Sequence, residues 1–320
     1  MPAAIHASQL RRRFGDTTAV DGVDLDISAG EIYAFLGPNG AGKSTTVRIL
    51  TTLLRPSDGV ATIAGHDVVA DAGTVRRLIG VALQQVALDP LMTPRELLDL
   101  QGALYRLSRA EAARRRDDLL ERLDLAASAN KRVMALSGGM RRRLDLAMSL
   151  IGSPQVLFLD EPTTGLDPVS RRAVWSEVRR LNDAGTTVFL TTQYLEEADQ
   201  LAHRVGFINR GRISLEGTPE TLKRQMGKTR LKVRVTDHRH DEAIKELASF
   251  GEVQADDSNW VIVALRDGAP AVPAAMRALD ESDVSVGDVD VQQPTLDDVF
   301  LSLTGDHLDA GGGSRAAAKA

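Results

Sequence analysis

The chain has no cysteine among its 320 residues, which excludes disulfide bridges and thiolate metal sites and suits a reducing compartment. No apolar run reaches the roughly 18 residues that a membrane-spanning helix needs, so no segment is expected to cross a bilayer by itself. Residues 1–14 contain no apolar stretch of the signal-peptide kind, and no signal peptide is expected. Positive charge is not in excess. With 39 Lys and Arg against 44 Asp and Glu the net charge is −5, which argues against nucleic acid as the main partner, because phosphate backbones select a basic face. The six histidines have no metal-ligand spacing, and His238 and His240 fall in a polar turn where solvated side chains are expected. What remains is a globular chain, 43% hydrophobic, long enough for two domains, with the cytosol as its expected address.

The most informative segment is Gly37-Pro38-Asn39-Gly40-Ala41-Gly42-Lys43-Ser44-Thr45, which fits G-x-x-x-x-G-K-[ST]. The apolar run Glu31-Ile32-Tyr33-Ala34-Phe35-Leu36 enters it as a buried strand, and Thr45-Thr46-Val47-Arg48-Ile49-Leu50 leaves it as a helix. Such a loop bends around phosphate oxygens so that consecutive N–H groups point at them, and the helix adds its positive dipole end. Lys43 is expected to reach the β- and γ-phosphates, and the Ser44 hydroxyl to hold Mg²⁺. The chain is therefore expected to bind a nucleoside triphosphate.

Around this loop the pattern is that of an α/β domain. Val23, Leu25 and Ile27 alternate with polar residues as a half-solvated strand, and further strands are expected at 60–64 and 79–83. Residues 86–152 read as a helical insert. Thr93-Pro94-Arg95-Glu96 is a capping box followed by Leu97, Leu100, Leu104 and Leu107 as one apolar face. Ser108-Arg109-Ala110-Glu111 repeats the device, and a third helix after Ser137 carries Met140, Leu144, Ala147 and Ile151. Strand signals return at 156–159 and 187–190, with a helix between them buried through Val174, Val178 and Leu181 and ended near Gly185. Strands separated by helices imply a parallel sheet with right-handed crossovers. A hairpin turning at Asn209-Arg210-Gly211 closes a domain expected to span residues 1–227. Residues 228–304 then give the order βαββαβ, the ferredoxin-like arrangement, with a last helix at 295–303. Residues 305–320 are Gly- and Ala-rich and read as a flexible tail. Trp175 and Trp260 sit on periodic faces and are expected in cores; the Arg114-Arg115-Arg116 run reads as a solvated helix face.

Two other segments carry chemistry. Val156-Leu157-Phe158-Leu159-Asp160-Glu161 is a buried strand that ends in two carboxylates, at the sheet edge where the phosphate loop also stands. Asp160 is expected to hold Mg²⁺ and Glu161 to orient or deprotonate an attacking water, which completes the inventory for phosphoryl transfer to water. In Leu136-Ser137-Gly138-Gly139-Met140-Arg141-Arg142, Ser137 is a good N-cap, and Gly138 and Gly139 leave first-turn N–H groups open to an anion. Two glycines there cost about 1 kcal/mol each, which an ordinary cap does not require. Arg141 to Arg143 can be plain surface.

Together these segments resemble the ATP-binding subunit of ABC transporters, over roughly residues 5–225. Leu136-Ser137-Gly138-Gly139-Met140 looks like the family signature. Asp160-Glu161-Pro162-Thr163-Thr164-Gly165-Leu166-Asp167-Pro168 looks like its Walker B segment running into the D-loop, and Gln84, with Gln85 beside it, is similar to the Q-loop glutamine. The resemblance implies a P-loop NTPase core with a parallel sheet, an antiparallel β subdomain and a helical insert, plus the small α+β C-terminal domain. It implies ATP and Mg²⁺, with Gln84 near both, Asp167 at the nucleotide interface, and Phe14 as the aromatic that stacks on adenine. Two copies are expected head to tail, each ATP lying between Lys43 of one and Ser137, Gly138 and Gly139 of the other. The helical insert and the Gln84 loop would receive a short helix from a separate membrane permease, which places the chain peripherally on the cytoplasmic face. Gln193 stands in the switch segment where most relatives carry histidine; its amide can donate to the γ-phosphate but cannot titrate. That substitution, and Pro294-Thr295-Leu296-Asp297-Asp298-Val299-Phe300-Leu301 near the end, are similar to the daunorubicin/doxorubicin-resistance branch of drug exporters. Two other functions fit less well. A soluble superfamily ATPase acting on ribosomes or DNA usually carries two ATPase units or a long coiled coil, and an ATP-binding regulatory switch does not need Lys43, Asp160 and Glu161 complete.

Overall fold

The structure is a computed structural model that describes residues 3–84, 87–226, 228–236, 238–255 and 260–305. It divides into two compact units, the division falling between Pro219 and Glu220. In the first unit the chain runs through β1 (Ala3–Phe14), β2 (Thr17–Ser28), β3 (Ile32–Leu36), α1 (Lys43–Leu50), β4 (Asp58–Ile63) and β5 (His66–Asp67). It continues through α2 (Ala72–Leu78), β6 (Ile79–Ala82), α3 (Pro94–Leu104), α4 (Arg109–Arg122) and α5 (Gly138–Leu150). The unit ends with β7 (Val156–Asp160), α6 (Pro168–Asp183), β8 (Thr187–Thr192), α7 (Leu195–Leu201), β9 (Arg204–Asn209) and β10 (Arg212–Gly217).

Two sheets form the frame. A six-stranded sheet has the order β10-β9-β3-β8-β7-β6, parallel except for the edge strand β10. Strands β3, β7 and β8 are buried along their whole length, which is why they read as unbroken apolar runs rather than alternating ones. Phe189 packs there against Tyr33, Phe35 and Phe158, with ring centroids 5.6, 5.5 and 5.7 Å away. The second sheet, β2-β1-β4-β5, is antiparallel and shares this core through Ile5, Leu10, Val23, Ile27 and Ile63. Strand β1 escapes the sequence pattern because it is bulged. Its register shifts between Ala7 and Leu10, where Gln9 takes φ 49°, and the period of two breaks there. The turn after β9 carries Arg210 and Gly211 at φ 49° and 78°, the two left-handed residues of a type I′ hairpin.

The helical insert forms as expected, with differences in detail. Thr93 caps α3 in a reciprocal box: Glu96 N donates to Thr93 Oγ1 at 3.3 Å, and Thr93 N to Glu96 Oε2 at 2.8 Å. At Ser108 only half of that device exists. Ser108 Oγ accepts from Glu111 N, but the Glu111 carboxylate is held by Arg114 and Arg115. The apolar face of α3 is also corrected. Leu97 and Leu98 are buried, whereas Leu100 and Leu104 are exposed, Leu104 by 70%. The arginine run on α4 is not uniformly wet, since Arg116 is largely covered and paired with Asp99 and Asp117.

The second unit contains α8 (Pro219–Met226, which starts at the division), β11 (Arg230–Val235), α9 (His240–Ala248), β12 (Gly251–Ala255) and β13 (Trp260–Leu265). It continues with α10 (Val272–Glu281), β14 (Val286–Gln292) and α11 (Leu296–Gly305). Its antiparallel sheet has the order β12-β13-β11-β14, the ferredoxin-like topology. Leu231, Val233 and Val235 alternate inward against Ala243 and Leu247 of α9 and Ala275 and Leu279 of α10. Trp260 is a correction: it is only partly buried, and the core of this unit uses Val261, Val263 and Leu265 instead. His240 opens α9 rather than lying in a loop. Of the tail expected at 305–320, residues 306–320 lie outside the described residues, as does Gln85.

Candidate nucleotide site

Parallel registration brings the chemistry to one edge. Leu36 of β3 pairs with Thr192 of β8, Asp160 of β7 with Thr191, and Ala82 of β6 with Leu159. The Gly37–Thr45 loop, Asp160-Glu161, Gln84 and Gln193 therefore all leave the carboxyl ends of adjacent strands, the place where open parallel sheets hold ligands.

The loop's close approaches require glycine. A Cβ at Gly37 would lie 2.2 Å from the Ile208 carbonyl oxygen. Gly42, the N-cap of α1 at φ 112°, would place one 2.4 Å from the Ala19 oxygen. Ala41 N donates to Pro38 O, the Ala41 carbonyl accepts from Gly211 N, and Asn39 and Gly40 stand exposed at the loop tip. Lys43 is buried and folds back, its Nζ donating to Gly37 O at 2.7 Å and Pro38 O at 3.2 Å. Burial pulls its pKa below the usual lysine range, opposed by Glu161 and Asp160 nearby. Ser44 Oγ donates to Asp160 Oδ1 at 3.3 Å, and Thr191 Oγ1 donates to the same oxygen. Ser44 and Asp160 thus present hard oxygens side by side at the start of α1, the donor set that suits magnesium shared with substrate phosphates. Among the described residues no three His, Cys, Asp or Glu side chains cluster as an all-protein metal cage.

Glu161 is buried next to this pair. Its Oε2 accepts from Gln84 Nε2 at 3.0 Å and from Thr164 Oγ1 at 3.4 Å. Gln193 is exposed at the end of β8. Phe14 is 48% exposed at a hairpin end, with the Arg12 guanidinium 4.6 Å above its ring, so it is not a core residue.

The signature segment is built differently. Ser137 Oγ caps α5 by accepting from Met140 N at 3.2 Å, and a Cβ added at Gly138 would meet nothing within 4 Å. Gly139 lies beside Leu166 and Ser170, at the start of α6. Asp167 caps α6 through both oxygens, accepting from the Val169 and Ser170 amides and the Ser170 hydroxyl. Ser137 and Asp167 thus direct these bonds to their own helix starts and not to the lysine cradle. Within one chain the start of α5 is capped by Ser137 and open at Gly138.

Sequence reasoning passed over three participants. Thr191 donates to Asp160, and it is one of several threonines in an apolar strand. Arg142, weighed as surface, is buried with its guanidinium on the backbone around Glu161. Glu197 is fully buried below the switch segment, where Trp175 Nε1 donates to it at 2.9 Å and burial raises its pKa. Thr191 follows an apolar run, but Arg142 stands between Arg141 and Arg143 and Glu197 beside Glu196, so no local signal marks those two.

The family described as "ABC transporter" matches residues 20–164, and the "ATP-binding protein DrrA1-3-like, C-terminal domain" matches residues 217–304. A daunorubicin resistance ATP-binding protein, DrrA3, of Streptomyces coeruleorubidus is 48% identical, covering 95% of this chain and 96% of its own. The chain belongs to the DrrA-type ATP-binding proteins of ABC transporters. It is thus an ATPase of the cassette class. The daunorubicin/doxorubicin resistance ATP-binding protein DrrA of Streptomyces peucetius is 46% identical over 96% of this chain and 94% of its own. The linearmycin resistance ATP-binding protein LnrL of Bacillus subtilis (strain 168) is 32% identical over 94% and 98%. Among solved structures, the ATP-binding subunit of an ABC transporter superposes with TM-score 0.65 at 27% identity, covering 69% of this chain and 92% of its own. A dimeric cassette in a post-hydrolysis state bound to ADP and Pi superposes with TM-score 0.62 at 28% identity, covering 67% and 98%. No helix among the described residues of this DrrA-type chain is long and apolar enough to cross a membrane, and proteins of its family work with a membrane partner.

Proposed function

We propose that two copies of this chain close head to tail on two ATP molecules and, by hydrolysing them, drive a separate membrane permease that exports a drug-like or lipid-like molecule. The observation that carries this reading is the divided site. Lys43, Ser44, Asp160, Gln84 and Glu161 converge at one sheet edge, while the Ser137-Gly138-Gly139 helix start is capped by its own Ser137 and open at Gly138.

In this reading the loop amides and Lys43 bind the β- and γ-phosphates, Lys43 exchanging its two carbonyl partners for phosphate oxygens. Mg²⁺, held by Ser44 and Asp160 with Gln84 close by, would neutralise charge on the phosphates. Glu161 orients the attacking water and accepts its proton, and Gln84, now bonded to Glu161, is placed to share that water. Gln193 donates its amide to the γ-phosphate from the exposed end of β8. Ser137, Gly138 and Gly139 of the second copy supply donors from a helix start, and Asp167 braces that interface by fixing the start of α6. Phe14, half exposed, offers its ring to adenine. The names of the resistance proteins support export, and the dimeric neighbour supports closure of two copies. The membrane association follows from the permease and not from a span in this chain.

The test is Glu161→Gln. We expect Mg-ATP to be bound with near wild-type affinity, phosphate release to fall by about 100-fold or more, and an ATP-dependent dimer to persist on a sizing column. Unchanged phosphate release removes Glu161 from its role. A variant that stays monomeric at every concentration with Mg-ATP removes the divided site.

A further inference from the structure

One guanidinium organises the backbone on which hydrolysis depends. Arg142, 7% exposed on α5, donates from Nε to Pro162 O at 2.9 Å and from Nη2 to Asp160 O at 2.9 Å and Glu161 O at 3.0 Å. Its Nη1 donates to Leu83 O, the carbonyl directly before Gln84, and lies 3.4 Å from Asp145 Oδ2. Three consecutive carbonyls thus turn toward one side chain. That is not strand geometry, and Glu161 marks the break, with φ 52° although it is not glycine. A side chain in that region is strained and persists only where its surroundings enforce it. The Glu161 amide is tied to Thr191 O at 3.0 Å and Thr191 Oγ1 at 3.2 Å, and its carbonyl to Arg142. The same guanidinium holds the segment that carries Gln84, whose amide bonds the Glu161 carboxylate at 3.0 Å.

We propose that Arg142 is a positioning residue for ATP hydrolysis: it locks Glu161 in its left-handed conformation and keeps the Gln84 loop in register with it. The inference rests on the assignment of Glu161 as the residue that handles the attacking water. Arginine suits the task because a planar fork with five donors reaches four carbonyls at fixed angles, whereas an ammonium group is a point donor. Arg142 lies at the start of the helix that begins with the open signature turn, so the partner-facing and water-facing parts of the site share one anchor.

The experiment compares Arg142→Gln and Arg142→Lys with wild type for turnover, KM, affinity for a fluorescent ATP analogue and thermal midpoint. We expect both variants to bind nucleotide within about threefold of wild type. Turnover should fall by about 100-fold in R142Q, the cost of misplacing a reacting group by roughly 1 Å, with R142K regaining only part of it. R142K keeps the buried charge, so it decides the matter if R142Q does not fold. Wild-type turnover per folded molecule in R142K and in any folded R142Q overturns the inference, whatever happens to the midpoint. Equal losses of affinity and turnover overturn it too, because they describe a residue that only maintains the fold. Glu161→Gln run in parallel separates the two levels. An active E161Q removes the underlying assignment, and an inactive E161Q beside active Arg142 variants removes this inference alone.

Discussion

At the scale of single residues, the site is held by buried polar groups whose desolvation must be offset locally. Asp145 is the clearest case. Burial pushes its pKa up to about 6, and Arg142 only partly opposes this. The native state therefore holds the Asp145 proton more tightly than the unfolded chain, whose carboxyl titrates near the ordinary value of 3.8. Stability from this group is present at low pH and is lost as the pH rises from about 4 to about 6, by no more than about 3 kcal/mol. Asp145→Asn should flatten the stability curve in that window relative to wild type, checked by urea denaturation at several pH values. An unchanged slope would mean that Asp145 is hydrated in the folded protein. The identities of Lys43, Ser44, Asp160 and Glu161 were legible in sequence, because each occupies a fixed place in a motif. Their contacts were not. The bond from Gln84 to Glu161 and the four carbonyls on Arg142 join residues far apart in the chain, and no local spacing encodes them.

Among elements, local rules decided where helices start. Thr93 with Pro94 and Glu96, Ser108, Ser137, and Asp167 with Pro168 each begin a helix for a reason visible within four residues. The α3 box is complete, so Thr93→Ala removes an acceptor for Glu96 N and a partner of the Glu96 carboxylate. It should lower stability by about 1 kcal/mol in chemical denaturation while leaving nucleotide affinity unchanged. A loss of nucleotide binding would mean that α3 supports the phosphate loop. Which face of a helix is buried was less legible. Leu100 and Leu104 fit the helical period after Leu97, yet both are exposed, because the packing surface is set by Gly102 against Ala112 of α4 and by Leu98. Strand β1 was missed for a related reason: two-residue alternation is a property of regular pairing, and a bulge removes it.

For the whole molecule, each unit closes its own core. One is centred on Phe35, Phe158 and Phe189, the other on Val233, Val261 and Val263. A chain ended after Gly227 should therefore fold and bind a fluorescent ATP analogue within about threefold of the full chain, because the phosphate loop and Asp160 belong entirely to the first unit. Loss of binding would assign the second unit a part in folding the first. If the second unit serves assembly, the shortened chain should lose its ATP-dependent dimer or its membrane partner while keeping nucleotide. The sequence by itself determined the phosphate loop, the carboxylate pair, the helix caps and the βαββαβ order, because each rests on residues within a few positions of one another. Tertiary structure alone decided that Gln84 bonds Glu161, that Glu161 takes a left-handed backbone, and that Arg142 faces inward rather than toward solvent. Strand order and burial are agreements between distant segments, reached only when the chain closes on its core.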